Sequence, residues 1–224
     1  VGLRGKVLEA LKDGLEIPTE RTILITGLNE DEIWVNMSRI NGVDGTDPAS
    51  LTYGEKVGRK QIFEIEKYLK QYVPGFENAY MDRVAPFLGI RESRRIVGQY
   101  VLTEEDILSR RHFDDSIAVA SYPIDIHHPD GGGCTLRWSG DCYDIPYRSL
   151  IPLEVENLIV AGRSISTTHE AMSAIRVMAP CMLMGEAAGL AANLAIKHNI
   201  YPSQVDAQEL REDILAEGGF LREK

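Results

Sequence analysis

The stretch that decides the fold reads Asn157-Leu-Ile-Val-Ala-Gly-Arg163, followed at once by Ser164-Ile-Ser-Thr-Thr168 and then by a long run of small residues. Four apolar residues ending on a glycine read as a short strand over 157–161. The residues after it read as a polar loop, and the small-residue run as a helix over 177–198 with Pro180 in its first turn. Proline suits that turn, because the first amides of a helix have no internal partner. A strand's carboxyl end beside a helix's amino end is where α/β proteins receive negatively charged cofactors. Yet no Gly-x-Gly-x-x-Gly follows any strand candidate, so the usual pyrophosphate cradle is missing from these 224 residues.

Around this centre the chain reads as a mixed α+β layer joined to a piece of an α/β layer. Residues 1–13 have a short helical pattern with Val7, Leu8 and Leu11 on one side. Residues 22–26 and 32–37 are β-rich runs around a turn, which predicts a hairpin. Thr52 and Glu55 form a capping-box pair at the start of a helix carrying Ile62, Ile65, Leu69 and Val73, ending before Pro74-Gly75. Further strands are predicted at 79–84, 87–90, 94–100, 116–120 and 124–127, with a second capped helix opening at Thr103 with Asp106 and a flexible turn at Gly131-Gly-Gly133. A terminal helix is expected over about 203–215, and the domain boundary near Leu150-Ile-Pro152.

Composition narrows the partners. With 44% hydrophobic and 26% charged residues, the chain has the make-up of an ordinary globular protein. Its net charge of −10, spread and not blocked, argues against a nucleic-acid or anionic-membrane surface. The longest apolar run, 177–196, is interrupted by Pro180, Glu186 and Asn193 and reads as too polar for a bilayer span, and no signal peptide opens the chain. Three cysteines without metal spacing are expected to be reduced, in a cytoplasmic protein, although Cys134 and Cys142 flank a turn and could pair. A first residue of Val, not Met, fits a trimmed or truncated product as well as a complete one.

Four groups of residues could carry chemistry. Gly185, Ala188, Gly189 and Ala192 form a small-residue stripe on the 177–198 helix. Each interior glycine costs about 1 kcal/mol relative to alanine, so close approach to a sheet or to a flat ligand must repay it. Arg91-Glu-Ser-Arg-Arg95 could clamp a carboxylate or phosphate, or could simply be exposed arginines on a strand edge. In Ile124-Asp-Ile-His-His-Pro-Asp130, Asp125 and His127 fall on one strand face. That suits a carboxylate-oriented acid–base histidine as well as a buried structural one. A metal held by His127, His128 and Asp130 is disfavoured, because adjacent strand histidines diverge. Lastly, Arg163, His169, Glu170 and Arg176 sit in the loop between the strand and the helix, where ligands collect; Cys181 reads as a small buried residue.

Taken in order, several of these pieces resemble a bacterial family of FAD-dependent oxidoreductases within the two-dinucleotide-fold flavoprotein group. They are Gly42-Val-Asp-Gly-Thr-Asp-Pro48, Tyr72-Val-Pro-Gly-Phe76, Ile90-Arg-Glu-Ser-Arg-Arg-Ile-Val97 and Tyr100-Val-Leu-Thr-Glu-Glu-Asp106. Tyr122-Pro-Ile-Asp-Ile-His127, Ile145-Pro-Tyr-Arg-Ser-Leu150, Asn157 to Arg163 and Arg176 to Ala192 complete the set. The resemblance implies that residues 1–150 form a mixed-sheet, substrate-side α+β domain. Residues 151–224 would be the carboxy-terminal part of an FAD-binding α/β domain, whose ADP-cradling segment normally precedes this sequence. It further implies that Gly162, Arg163, Ser164, Arg176 and the backbone of Met178, Ala179 and Cys181 border the flavin. A helix amino end there favours anionic reduced flavin by about 0.3–1 kcal/mol. His127 and Arg94 become the substrate-side catalytic candidates, with no metal.

The expected activity is hydride passage between a small organic substrate and FAD, by a chain that is inactive without its amino-terminal FAD-binding segment. A catalytically silent ligand- or partner-binding remnant of the same fold is the alternative. A parallel strand at 157–161 without neighbours would leave a bare apolar edge, so self-association is also expected.

Overall fold

Apolar residues at helical spacing and short β-rich runs produce an α+β fold, described by a computed structural model for residues 2–128 and 133–222. Asp130, Gly131 and Gly132, singled out above, lie outside the described residues. The chain divides into two compact units, Val1–Ile90 with His127–Gly133, and Arg91–Ile126 with Cys134–Lys224. This division follows packing. The boundary expected near Leu150-Ile-Pro152 lies inside the second of these units.

The first unit holds helix α1 (Arg4–Lys12), strands β1 (Leu24–Thr26) and β2 (Ile33–Val35), and the long helix α2 (Pro48–Tyr72). The hairpin expected at 22–37 forms, with Leu24 opposite Val35 and Thr26 opposite Ile33. Its other pair, Ile25 and Trp34, is more than half exposed. Helix α2 starts earlier than the Thr52–Glu55 pair predicts. Asp47 caps it, accepting from the amides of Ala49 and Ser50, and Pro48 occupies the first helical position. An aspartate followed by proline outcompetes an internal Thr/Glu pair, because Asp accepts from the unpartnered amides of the first turn and Pro brings none of its own. Thr52 instead donates to the Pro48 carbonyl, and Glu55 accepts from the Leu88 amide. Ile65, Tyr68 and Leu69 of α2 pack with Val7 and Ala10 of α1, Ile17, Met37 and Val73; Leu11, expected in the apolar stripe, is exposed.

In the second unit, helix α3 (Glu104–Leu108) opens with the expected reciprocal capping box between Thr103 and Asp106. Strand β3 (Ser116–Ala120) pairs antiparallel with β6 (Tyr143–Pro146), and β4 (Ile124–His127) pairs with β5 (Cys134–Arg137). Helices α4 (His169–Ile175), α5 (Met178–His198) and α6 (Ala207–Ala216) follow. Both α5 and α6 pack on β3. The core joins Ile117, Tyr143 and Ile145 of the sheet to Leu150, Ile165, Met172 and the inner face of α5. Burial pushes the Tyr143 and Tyr147 phenols well above their ordinary range, so both stay donors; they bond the carbonyls of Tyr122 and Ala174, and of Pro202.

Several predicted strands do not form. Residues 79–84 and 87–90 are irregular, and 94–100 forms no strand, only an isolated bridge from Gly98 to Pro152 and single backbone bonds such as Gln99 to the Ile151 carbonyl. The 157–161 strand is also absent. Asn157 takes a left-handed conformation (φ 54°), Val160 donates to the Leu150 carbonyl, and a 3-10 turn occupies Gly162–Ser164. An apolar run becomes a strand only beside a partner, and among the described residues none flanks this one. The bare parallel edge offered above as the cause of self-association is therefore not present among them. The loop expected before α5 contains α4 instead, and the terminal helix begins at Ala207 behind an Asp206 cap.

Helix α5 also corrects the reading of its hydropathy. It is the one helix among the described residues that is long and apolar enough, by length and composition, to cross a membrane. Pro180, Met184, Ala187, Ala191, Leu194 and Ala195 are nevertheless buried in the unit's core.

The Asp106 cap has a measurable consequence. Burial pushes its carboxyl pKa up, but donors from the Thr103 amide and hydroxyl, Tyr100 and Arg111 outweigh that and hold it below its ordinary value. A depressed folded-state value gives stability that is complete above about pH 4 and is lost as pH falls through the folded value. Asp106→Asn is expected to cost about 1 kcal/mol at neutral pH and to flatten the acid limb of a urea-midpoint-against-pH curve. An acid limb identical to wild type would remove Asp106 as its source.

Candidate functional site

The turn and helix start that the sequence singled out do meet in space. Gly162 adopts φ 75°, a conformation that a side chain at this position would strain. There is room beside it, however: an added Cβ would touch only Cys181 Sγ, at 3.9 Å. Arg163 and Ser164 are exposed, while the next residue, Ile165, is fully buried and anchors the turn in the core. The Ser164 carbonyl accepts from the Ile96 amide at 2.9 Å. Burial raises the Cys181 thiol pKa against the opposing pull of Arg163, and its Sγ donates to the Ile175 carbonyl at 3.6 Å, so the thiol is a packed, protonated group.

Helix α5 begins without a side-chain cap. Val177 stands at its N-cap, Met178 and Ala179 are exposed, and Pro180 is buried. The amides at the helix start have no intrahelical partner, so this end carries unbalanced positive dipole next to an open glycine turn. Most of the small-residue stripe is exposed. Gly185, Gly189 and Ala192 are exposed with Met178, Met182 and Ile196, and Cβ atoms on either glycine would meet nothing within 4 Å. Ala188 alone of the stripe is half-buried.

The other candidates differ in their surroundings. Arg176 is turned inward, its side chain 10% exposed, and donates to the Asp125 carbonyl at 2.7 Å. The Asp125 carboxylate, itself buried, faces Arg176 at 3.9 Å, Arg91 at 3.7 Å and the Tyr122 hydroxyl at 3.5 Å. Burial and the like charge of Arg91 pull the Arg176 pKa down, and Asp125 and Glu92 oppose them. Arg94 is exposed, with no hydrogen bond or ion pair among the described residues. His127 is exposed at the end of β4 and groups with the first unit, whereas Asp125 belongs to the second.

One pair escaped the sequence reading. His169 Nδ1 lies 2.7 Å from Glu92 Oε2, and Arg95 holds the other carboxylate oxygen. The partners stand 77 residues apart, so no local spacing announces them. The only hint was that each belonged to a cluster already marked, Arg91 to Arg95 and Arg163 to Arg176.

The family described as FAD dependent oxidoreductase matches residues 7–214, nearly the whole chain. The chain belongs to the FAD-dependent oxidoreductase family. No curated protein and no solved structure matches it. The family's cofactor is FAD, and the residues present suit one end of that molecule. An uncapped helix start and an open glycine turn suit the carbonyl-bearing edge of a flat ring. Two buried hydroxyls in the adjoining loop, Ser166 Oγ and Thr167 Oγ1, also lack a hydrogen-bond partner among the described residues. Nothing in the sequence suits the ADP end, since the glycine fingerprint is missing. Among the described residues no group of three His, Cys, Asp or Glu side chains could hold a metal ion.

Proposed function

We propose that this chain supplies the flavin-facing and substrate-facing parts of an FAD-dependent oxidoreductase that passes a hydride between a small organic substrate and flavin. The observation that carries this reading is the uncapped amino end of α5 beside the open Gly162 turn. Gly162, Arg163 and Ser164, with the backbone of Met178, Ala179 and Cys181, would hold the ring. Arg176 would act from behind, fixing β4 against the start of α5 through its bond to Asp125. Arg94 stays a candidate for substrate contact, while His127, which groups with the first unit, is not assigned to this site. FAD, when bound, supplies the two-electron chemistry, while the protein's part is position, proton handling and exclusion of water. The three cysteines are all free, which suits work in a reducing cytoplasm.

The ADP cradle would come from an amino-terminal segment outside this sequence, seated on the outer face of α5. Without that segment the same face, bearing Met178, Met182 and Ile196, favours association of the chain with itself.

Titration of the purified chain with FAD, riboflavin and ADP, followed by visible flavin absorbance and fluorescence, tests the proposal. A protein that holds only the ring binds FAD and riboflavin alike and ignores ADP. Supplying an ADP-binding segment should then raise affinity for FAD alone. Tight ADP binding, or no flavin uptake with or without that segment, contradicts the reading.

A further inference from the structure

We infer that His169, oriented by Glu92, is the acid–base residue of this site, exchanging a proton with the substrate's O–H or N–H through its Nε2 atom; this rests on the hydride-transfer reading above. Glu92 is a half-buried carboxylate with both oxygens committed, one to Arg95 and one to His169 Nδ1 at 2.7 Å. A carboxylate cannot donate, so the neutral imidazole must carry its proton on Nδ1. That leaves Nε2 as the acceptor, on a side chain 55% exposed, with no partner among the described residues. A histidine fixed in one tautomer by a clamped carboxylate is what proton abstraction requires.

Its location ties it to the flavin side. His169 opens α4 behind the Thr168 cap, and α4 packs against the Gly162–Ser164 turn. Glu92 also supports the charge of Arg176, two residues before α5 begins. Glu170, beside His169, is held ionised by its own backbone, with Thr168, His169 and Arg95 contributing. His112 has a carboxylate at Nδ1 too, but its partner Asp144 is fully buried and bound to Arg222 and the Phe113 amide, a folding clamp. His198 meets Glu209 through Nε2, the reverse arrangement, at the far end of α5.

In the step proposed, His169 Nε2 would take the proton from the substrate's O–H or N–H as the adjacent C–H bond breaks. FAD, when bound, would accept that hydride and its two electrons, leaving a C=O or C=N bond in the product.

Nitrogen-15 NMR of the histidines reads the tautomer directly. His169 is expected as the Nδ1–H form in wild type, with that signal shifting toward the Nε2–H form in Glu92→Gln. Diethyl pyrocarbonate, which attacks unprotonated imidazole, should modify His169 ahead of His198 and more slowly in Glu92→Gln. Small alcohols, 2-hydroxy acids and amines serve as flavin reductants. With whichever reduces the flavin-loaded protein, His169→Gln should slow reduction by about 100- to 10,000-fold. Imidazole should restore part of the rate in His169→Ala. Failure to take up flavin defeats the hydride reading while the tautomer and modification results still decide the role of His169. A His169 in the Nε2–H form, unaltered modification in Glu92→Gln, or wild-type reduction by His169→Gln overturns the inference.

Discussion

Replacing Arg222 with Met is expected to lower the stability of the second unit by about 3–5 kcal/mol, a large share of the 5–15 kcal/mol typical of a domain. The Asp144 carboxylate on β6 is fully buried. Arg222 Nε donates to Asp144 Oδ1 at 2.6 Å, and the same guanidinium reaches the carbonyls of Cys142, Arg110 and Arg111. One side chain therefore ties the end of the described chain to β6 and to the loop after α3. Methionine keeps much of the volume but removes every donor. Asp144 is left with His112 Nδ1 and the Phe113 amide, too little to replace the lost guanidinium. The loss comes from stranding a buried charge, so it should shrink when the charge goes as well. The double variant Asp144→Leu with Arg222→Met should unfold at higher urea than Arg222→Met alone. A single variant within about 0.5 kcal/mol of wild type, the range of ordinary surface changes, would show that the clamp does not hold the fold.

The second large effect contrasts two methionines of one helix. Met184 is fully buried and Met182 is 69% exposed, two residues apart on α5. Met184→Ala opens a cavity in the unit's core and should cost about 2–5 kcal/mol. Met182→Ala should change the stability of the isolated chain by no more than about 0.5 kcal/mol. If the outer face of α5 seats an ADP-binding segment, Met182→Glu should weaken capture of that segment while leaving the chain's own urea midpoint near wild type. Equal losses for Met182→Ala and Met184→Ala would mean that the outer face is covered within the chain itself.

Where structure depends on neighbours a few residues away, the sequence was readable. The Thr103–Asp106 box, the β1–β2 hairpin, β3, β4 and the span of α5 all follow from spacing within one element. The start of α2 is ambiguous in the sequence because two capping signals compete within nine residues, and Asp47-Pro48 prevails over Thr52–Glu55. The failures at 79–84, 94–100 and 157–161 share one cause. A strand is made by its lateral partner, and a run such as Leu158 to Ala161 carries no record of whether one is present.

The site shows the same division. Periodicity found the small-residue stripe of α5, but it does not say which side meets the core. Met184, Ala187 and Ala191 turn inward, and Gly185, Gly189 and Ala192 turn out. The resemblance puts Arg176 beside the flavin, and its side chain donates to the Asp125 carbonyl. Glu92 and His169 belong to segments that only the fold joins, which is why a pair on a single strand, Asp125 and His127, drew attention first.

Whether the Gly162 turn and the start of α5 border the flavin ring can be read from hydrogen–deuterium exchange of the chain, with and without saturating riboflavin or FAD. Slowed exchange is expected only in residues 162–165 and 176–182, alike for both flavins. Protection elsewhere, with those two segments exchanging as freely as before, would contradict it.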